Sequence, residues 1–377
     1  MRPCLWGESI NNLKREERSH RDKNLAVKMK LFDAHCHLQD KRVIDKAPEL
    51  ISAALAVGVT NFAVNGTSEQ KDWDLVKEMG EMYPSVIPCF GIHPWFIADR
   101  SPHWLNTLRM LFETTPTAAV GEIGLDKSPL AAGIDYSDQL AVFRPQLELA
   151  KELNKPVAVH CIDAFDDLLE IMRYMFIQRL KGKPIMFFVP YVASKFLDIN
   201  ICRSVGPFPA GVILHSFNGT AEVVPKLAEL GAYFSLSGWF TYIDEKIAKN
   251  TLKSIPSDRF LLETDSPDGL PKSDESSEPT LNEPANIVAV LEYVSNLSNI
   301  KKEDLAELTY GNTEKEKKLI LNKTDLLKHD ITLNVIRFHQ RLVNSKDDKL
   351  PLRIVGQVLF VSQKQFHDKV ARERILN

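Results

Sequence analysis

The sequence predicts an α/β fold, a (β/α)8 TIM barrel, from the number and the order of its elements. Short β-rich runs alternate with helical patterns along the chain, and eight such pairs follow one another. This alternation predicts a parallel sheet, and eight units are enough to close the sheet into a barrel. The alternative is an open doubly wound sheet, which usually has a glycine-rich phosphate loop after its first strand. The segment FDAHCHLQD at 32–40 is not such a loop.

The predicted strands are short runs rich in apolar residues, many of them bounded by turn-forming residues. In chain order they are KLFDAHCHL (30–38), TNFAVNG (60–66), VIPCFGIHP (86–94), AAVGEIGLD (118–126), PVAVHCID (156–163), AGVILHSFNG (210–219), AYFSLSG (232–238) and FLLETDSP (260–267). The predicted helices have apolar residues at helical spacing. In chain order they are PELISAALAVG, WDLVKEMGEMY, HWLNTLRMLFETT, SDQLAVFRPQLELAKELN, AFDDLLEIM, AEVVPKLAELG, DEKIAKNTLKSI and NEPANIVAVLEYVSNLS.

Three regions do not fit this pattern. Residues 1–28 are predicted to form a disordered leader, and Met29 directly precedes the first strand. The barrel is expected to span 29–312, followed at 313–377 by an extension of unknown structure. Residues 173–203 form an atypical insertion between the fifth helix and the sixth strand, where a short connection is expected. The insertion enters at the amino-terminal rim, so it is expected to spare the catalytic loops of the opposite rim.

Composition excludes some classes of protein. The chain has 47 basic and 50 acidic residues, a net charge of −3, which argues against coating of nucleic acid by charge alone. No uncharged apolar run is long enough to span a bilayer, and the charged N-terminal segment lacks the apolar core of a secretory signal. Cys36, Cys89 and Cys161 lie in apolar runs and are predicted to be buried and reduced. These features predict an intracellular protein, cytoplasmic or nuclear, with no membrane attachment, and they imply no stable protein partner.

Side chains of the types that bind metal ions lie at or near the carboxyl ends of five predicted strands. These strand ends meet at one rim of a barrel, where barrel enzymes build their active sites. His35 and His37 are two residues apart, so their side chains point to the same side of a strand. A single histidine at a strand end is usually structural, but six such side chains at one rim predict a metal site. The six are His35, His37, Glu122, His160, His215 and Asp265.

Six ligands are too many for one tetrahedral ion and suit two divalent metal ions that share a carboxylate. Glu122 is the predicted bridge, because a carboxylate offers two oxygens. His35, His37 and Asp265 would complete one shell, and the two remaining histidines the other. Such a pair of ions lowers the pKa of bound water, and Asp265 could accept the proton of that water. The predicted chemistry is hydrolysis, and the donor set accepts Mg, Mn or Zn.

At this point the chain resembles a known family, the TatD-type metal-dependent deoxyribonucleases, which are relatives of the amidohydrolase barrels. The ordered combination of H-x-H, G-x-H-P, G-E-I-G-L-D and E-T-D is specific, and the resemblance covers most of residues 29 to 312. It implies a barrel of the metal-dependent hydrolase type, the same six ligands, and nuclease action on DNA, on single strands or ends, commonly with exonuclease character. The segments that carry it are FDAHCHL, CFGIHPW, VGEIGLD, FRPQLELAKELNKPVAVHCIDAFDDLLEIM, VILHSFNGT, GAYFSLSG, LLETDSP and NEPANI.

Three further residues are assigned roles on this basis. His93 matches a family motif and is interpreted as a contact to substrate or phosphate, with a structural histidine as the alternative. Asp126 is expected to support a metal ligand from behind. Lys127 could meet a phosphate, but a solvated surface lysine is the preferred interpretation.

Aromatic residues at the same rim are candidates for base stacking. Trp95, in the CFGIHPW segment, and Trp239 and Phe240, after the seventh strand, are positioned for it. Trp95 is therefore assigned, with His93, to substrate binding. Ordinary packing at the rim is the alternative for all three aromatic residues.

Two other functions stay open. An amidohydrolase would cleave a C–N bond in a small cyclic substrate, but that class often carries a carboxylated lysine at the strand 4 position, where this chain has Glu122. An inactive or binding-only barrel would be marked by substituted ligands, and every predicted ligand is present.

Overall fold

Eight parallel strands form one sheet in sequential order in the computed structural model, which describes residues 29–181, 208, 210–272 and 280–321. Every adjacent pair from the first strand to the eighth is parallel, so the predicted (β/α)8 fold is confirmed. The strands are β1 Leu31–Cys36, β2 Val59–Asn65, β3 Val86–Phe90, β4 Ala119–Asp126, β5 Val157–Ile162, β6 Val212–Leu214, β7 Ala232–Leu236 and β8 Phe260–Leu262.

The first and last strands meet just beyond the end of β8. The backbone N–H of Asp265 donates to the carbonyl of His35 at 2.9 Å, and the N–H of His37 donates to the carbonyl of Ser266 at 2.7 Å. These two bonds join the ends of the sheet and bring three of the predicted site residues into one seam of the barrel.

The helices surround the sheet. Those described are α1 Ala47–Val57, α2 Trp73–Met82, α3 Trp104–Thr114, α4 Tyr136–Leu153, α5 Phe165–Lys181, α6 Val224–Glu229, α7 Glu245–Ser254, α8 Ile287–Ser298 and α9 Lys302–Leu321. Two of them differ from the prediction. The pattern ended the fifth helix at Met172, whereas α5 continues nine residues into the predicted insertion, to Lys181. The pattern contained no helix corresponding to α9, which passes through the predicted domain boundary at 312.

Local sequence sets several helix ends. Asp135 precedes α4, and its side chain accepts the backbone N–H of Ser137 at 2.9 Å, while Asn154 ends the helix with φ at 51°. Gly58 ends α1 with φ at 108°, and a Cβ there would lie 2.3 Å from the carbonyl oxygen of Met29. Glycine is required at that position because no other residue fits both the dihedral angle and the space.

The core lies between the sheet and the helices and is built from fully buried side chains such as Phe62, Phe90 and Phe234. Cys36, Cys89 and Cys161 are buried free thiols, as predicted, and burial raises the pKa of the Cys89 thiol to about 12. No helix among the described residues is long and apolar enough to cross a membrane. The predicted leader and the greater parts of the insertion and of the C-terminal extension lie outside the described residues.

Candidate metal centre

The structure brings all six predicted ligands together at the carboxyl rim of the barrel. Glu122 lies at the middle of the group, and its two carboxylate oxygens are close to the four histidines. It lies in the middle of β4 and not at its end as expected. The pairing of β4 with β5 is irregular between Val120 and Ile123, and this irregularity separates Glu122 from the regular ladder. Beyond it, a Cβ at Gly124 would lie 1.9 Å from the carbonyl oxygen of His160, so glycine permits the close approach of the two strands.

One oxygen of Glu122 faces the side chains of β1. Glu122 Oε2 lies 3.4 Å from His35 Nε2 and 3.4 Å from His37 Nε2, and the two nitrogens are 3.2 Å apart. Asp265 Oδ1 lies 3.9 and 3.8 Å from the same two nitrogens. These four side chains form the first half of the centre.

The other oxygen of Glu122 faces β5 and β6. Glu122 Oε1 lies 2.8 Å from His215 Nε2 and 3.1 Å from His160 Nδ1, and these nitrogens are 3.4 Å apart. Glu122, His160 and His215 form the second half. The carboxylate therefore lies between two pairs of imidazoles, as expected for a bridge.

Hydrogen bonds on the far side of each ring determine which nitrogen faces the centre. His37 Nδ1 lies 2.8 Å from the carbonyl oxygen of Asn65, which can only accept, so Nδ1 carries a proton and Nε2 is the nitrogen available to a metal ion beside Glu122. His160 Nε2 donates to Asp126 Oδ2 at 3.0 Å, which leaves the lone pair of Nδ1 for the centre. Asp126 thus supports His160 as predicted.

His93 has the opposite arrangement. Its Nδ1 accepts the backbone N–H of Trp95 at 3.1 Å, so in the neutral ring the proton is on Nε2, which lies 3.4 Å from Glu122 Oε1. Burial lowers the pKa of His93 to about 4, which keeps the ring neutral near pH 7. A nitrogen that carries a proton can donate a hydrogen bond but cannot bind a metal ion, so the geometry separates His93 from the four other histidines.

Glu263 belongs to the site and was missed by the sequence reasoning. It is fully buried, and its Oε1 lies 3.5 Å from His215 Nδ1 and accepts the backbone N–H of Ser216 at 2.5 Å. The signal for it was available, because Glu263 precedes Asp265 by two residues and i, i+2 side chains of a strand share a face.

Asp33 is a second missed residue. Its carboxylate accepts the hydroxyl of Thr264 at 2.6 Å and the backbone N–H of Thr264 at 2.9 Å, which ties β1 to the end of β8. Burial raises the pKa of Asp33 to about 8. The same i, i+2 rule would have placed Asp33 on the inner face together with His35 and His37.

Electrostatics in the centre are dominated by Glu122. Burial opposes its ionisation, but the surrounding imidazoles, His215 foremost, hold the pKa of Glu122 well below its usual range. Burial likewise opposes the charge of the histidines, yet the hydrogen bond and the charge of Glu122 raise the pKa of His37 to about 9 and that of His215 well above normal. Burial and the neighbouring His215 lower the pKa of His35.

The donor set fits divalent metal ions. A tetrahedral ion with bonds of about 2.0–2.1 Å has ligand atoms about 3.3–3.4 Å apart, and an octahedral ion of the same bond length has them about 3.0 Å apart. Within each half, the imidazole nitrogens and the oxygen of Glu122 are 2.8–3.4 Å apart, and only Asp265 Oδ1 is more distant, at 3.8–3.9 Å from the histidines of the first half. The paired imidazole nitrogens at 3.2 and 3.4 Å are close enough to bind one cation in each half.

The remaining rim residues fall into two groups. Phe240 is buried, so ordinary packing describes it, whereas Trp95 and Trp239 are 38% and 49% exposed. Lys127 forms an ion pair with Asp167 and lies over the ring of Tyr136, in agreement with its interpretation as a surface lysine.

Comparison with known proteins agrees with this geometry. The model of the family described as TatD related DNase matches residues 32–316. The metal-dependent hydrolase YabD of Bacillus subtilis, named as uncharacterized, is 30% identical over 289 residues, which are 76% of this chain and 98% of YabD. The 3'-5' ssDNA/RNA exonuclease TatD of Pantoea ananatis is 29% identical over 288 residues, 76% of this chain and 98% of that protein.

A solved structure supports the same fold. The crystal structure of YJJV, a TatD homolog from Escherichia coli k12, superposes with a TM-score of 0.60 at 23% identity and covers 76% of this chain and 96% of that one. With the family match, the chain therefore belongs to the TatD-related DNase family of metal-dependent hydrolases.

Proposed function

We propose that the protein is a deoxyribonuclease that hydrolyses phosphodiester bonds of DNA, on single strands or at ends and with exonuclease character, through two divalent metal ions. The observation that carries the proposal is the position of Glu122, whose two oxygens each lie within 3.4 Å of a separate pair of imidazole nitrogens. A shared carboxylate between two such groups is the arrangement that two-metal hydrolases use.

The first ion would be held by His35, His37, Glu122 and Asp265, and the second by Glu122 together with the two histidines of the second half. Bound divalent ions supply Lewis acidity and lower the pKa of water, which suits attack on a phosphodiester. Mg, Mn and Zn all accept this mixture of nitrogen and oxygen donors.

Two residues are assigned to proton transfer and to charge stabilisation. Asp265 Oδ1 lies at the first half of the centre, and we assign this carboxylate as the base that receives the proton of the attacking water. His93 carries its proton on Nε2 and stays neutral, so it is suited to donate a hydrogen bond to a phosphoryl oxygen. Its position beside Glu122 keeps it within reach of a substrate at the centre.

The substrate class is supported by the rim and by the relatives. The exposed rings of Trp95 and Trp239 can stack on unpaired bases. A protein of net charge −3 attracts DNA weakly by charge, so it needs such stacking in addition to contacts with the phosphates. One of the relatives compared above is named as a 3'-5' exonuclease of single-stranded DNA and RNA. Single-stranded DNA is therefore the first substrate to test.

The test follows the release of nucleotides from single-stranded DNA with Mg²⁺ or Mn²⁺. We expect activity in the native chain, loss to below about one hundredth in Glu122→Ala because a ligand matters more than its supporting residues, and loss in chelator. Glu113→Ala, an exposed residue of α3, is the matched control and should keep full activity. Native protein that binds metal but leaves single-stranded, double-stranded and 3'-ended DNA intact would overturn the proposal.

A further inference from the structure

The two exposed tryptophans of the rim share an arrangement that base stacking does not explain. Trp95 Nε1 donates to Asp126 Oδ2 at 2.7 Å, and Trp239 Nε1 donates to Asp265 Oδ2 at 2.8 Å. Trp95 follows β3 and Trp239 follows β7, so the two side chains come from different loops of the carboxyl rim. In both, the indole N–H points inward to a carboxylate of the centre while the ring remains partly exposed to solvent.

Trp95 acts on the second half of the centre. The oxygen of Asp126 that accepts its indole N–H also accepts His160 Nε2, so one atom receives both bonds. The rest of Asp126 is already fixed, because its Oδ1 accepts the N–H of Ser128 at 2.7 Å and Gln139 bonds to both its backbone N–H and its carbonyl. The indole therefore completes a carboxylate whose function is to orient His160.

Trp239 acts on the first half. Asp265 directs Oδ1 toward the histidines of β1, while Oδ2 accepts the indole N–H and, at a longer 3.5 Å, the Ser216 hydroxyl, so the indole bond is the shorter of the two that orient this carboxylate. Gly269 makes room for this contact, because a Cβ there would lie 3.1 Å from Trp239 Nε1 and 3.2 Å from the Cβ of Asp265. The backbone N–H of Trp239 is held by Ser237 Oγ at 3.4 Å, which anchors the loop.

From these contacts we infer that Trp95 and Trp239 are positioning residues of the metal centre, each acting through the carboxylate that its indole N–H binds. A hydrogen bond to a charged carboxylate is stronger than a neutral one, and partners of this kind orient ligands and tune the metal affinity. The inference rests on the proposed metal centre and adds to it a second role for two rings that stacking alone would leave free. A DNA base stacked on either ring would therefore be connected to the metal centre through the indole that it contacts.

The experiment measures Mn²⁺ binding by titration calorimetry, without DNA, in Trp239→Phe and Trp95→Phe. Phenylalanine keeps an aromatic face for stacking but removes the N–H together with the smaller ring of the indole, so we expect metal affinity to fall about 10- to 100-fold in each variant. Trp104→Phe, on α3 and outside the centre, is the matched control and should bind Mn²⁺ like the native chain. Unchanged Mn²⁺ affinity in both rim variants would overturn the inference and leave the rings as stacking surfaces.

A double variant tests that Trp95 acts through Asp126. If it does, Trp95→Phe adds little to the loss already caused by Asp126→Asn, whereas independent roles would give additive losses. Additive losses would overturn the action of Trp95 through Asp126. Because the double-mutant cycle compares Mn²⁺ affinities, a modest change in the stability of one variant does not decide its outcome. Thermal melting of each metal-free variant identifies any that fail to fold.

The outcomes also separate this inference from the proposed function. Weakened Mn²⁺ binding in the phenylalanine variants supports the inference even if the native protein cleaves no DNA. Native protein that binds no Mn²⁺ overturns both. Normal cleavage of DNA together with normal metal affinity in both variants overturns the inference alone.

Discussion

Each half of the centre has a pair of imidazoles and one oxygen of Glu122, but the two pairs of imidazoles are supported differently. In the first half, His37 is oriented by the backbone carbonyl of Asn65, and His35 Nδ1 has no hydrogen-bond partner among the described residues. In the second half, Asp126 accepts a hydrogen bond from His160, and Glu263 Oε1 lies 3.5 Å from His215 Nδ1, an ion-pair contact rather than a hydrogen bond. A carboxylate behind a ring raises the basicity of that ring, so we expect the second half to hold its ion more tightly.

Glu122 gives the most severe test of the difference between the two halves, because one of its oxygens lies in each half. Removing the carboxylate in Glu122→Ala takes one ligand from each ion and removes the negative charge that lies between the imidazoles. We expect native protein to bind two Mn²⁺ ions and the variant to bind none at concentrations that saturate the native chain. Calorimetry measures both stoichiometries, and Glu113→Ala serves as the control. Retention of one tight ion in Glu122→Ala would show that one half is complete without the bridge.

The pH dependence of metal binding distinguishes the protons that each half must release. In the metal-free protein, burial opposes protonation but Glu122 raises the pKa of His37 to about 9 and also raises that of His215, so His37 carries a second proton at pH 7.5 and the protonated form of His215 is favoured. A metal ligand must be deprotonated, so binding expels at least one proton and the overall affinity rises with pH, by about 10-fold per unit for each proton released, until about pH 9 for His37. Calorimetry in buffers of different ionisation enthalpy counts these protons. Proton-independent binding would contradict the assignment of these two rings as ligands.

The convergence of the six candidate ligands could be predicted because it depends on one strong rule, the meeting of strand ends at one rim of a parallel barrel. Glu263 and Asp33 were left unassigned, although each stands two residues before a predicted ligand and alternation along a strand puts such residues on one face. The role of the tryptophans could not be predicted, because their indole bonds join loops that lie 26 and 31 residues from their partners.

The sequence pattern also failed to predict where two helices end, α5 and α9. Gly311 and Asn312 are residues typical of a helix end, yet α9 continues past them. The Asn312 amide is fully buried and donates to the carbonyls of Ser257 at 2.8 Å and Phe260 at 3.0 Å. These contacts at the start of β8 outweigh the local preference, because a buried amide is costly unless it is hydrogen-bonded.

Removing one supporting carboxylate should affect only the half that it supports. Glu263→Gln keeps the shape of the side chain but removes the negative charge behind His215, so we expect the second ion to bind about 10- to 100-fold more weakly and the first to be unchanged. Two-site calorimetric fits with Mn²⁺ measure the two affinities, and Glu113→Gln is the matched control. Equal weakening of both ions would mean that the halves are not separable.

The smallest expected effect concerns the seam that holds the first half. In Thr264→Val the side chain keeps its volume but no longer donates its hydroxyl to the buried carboxyl of Asp33, so we expect the free energy of unfolding to fall by about 1–3 kcal/mol. Denaturant unfolding of the metal-free protein measures the change, and Thr114→Val, at the exposed end of α3, should stay within about 0.5 kcal/mol of the native chain. The first ion should also bind more weakly, since the bond aligns β1 with the loop that carries Asp265. A loss of stability without any change in the affinity for the first ion would mean that Asp33 and Thr264 hold the barrel closed but do not position the centre.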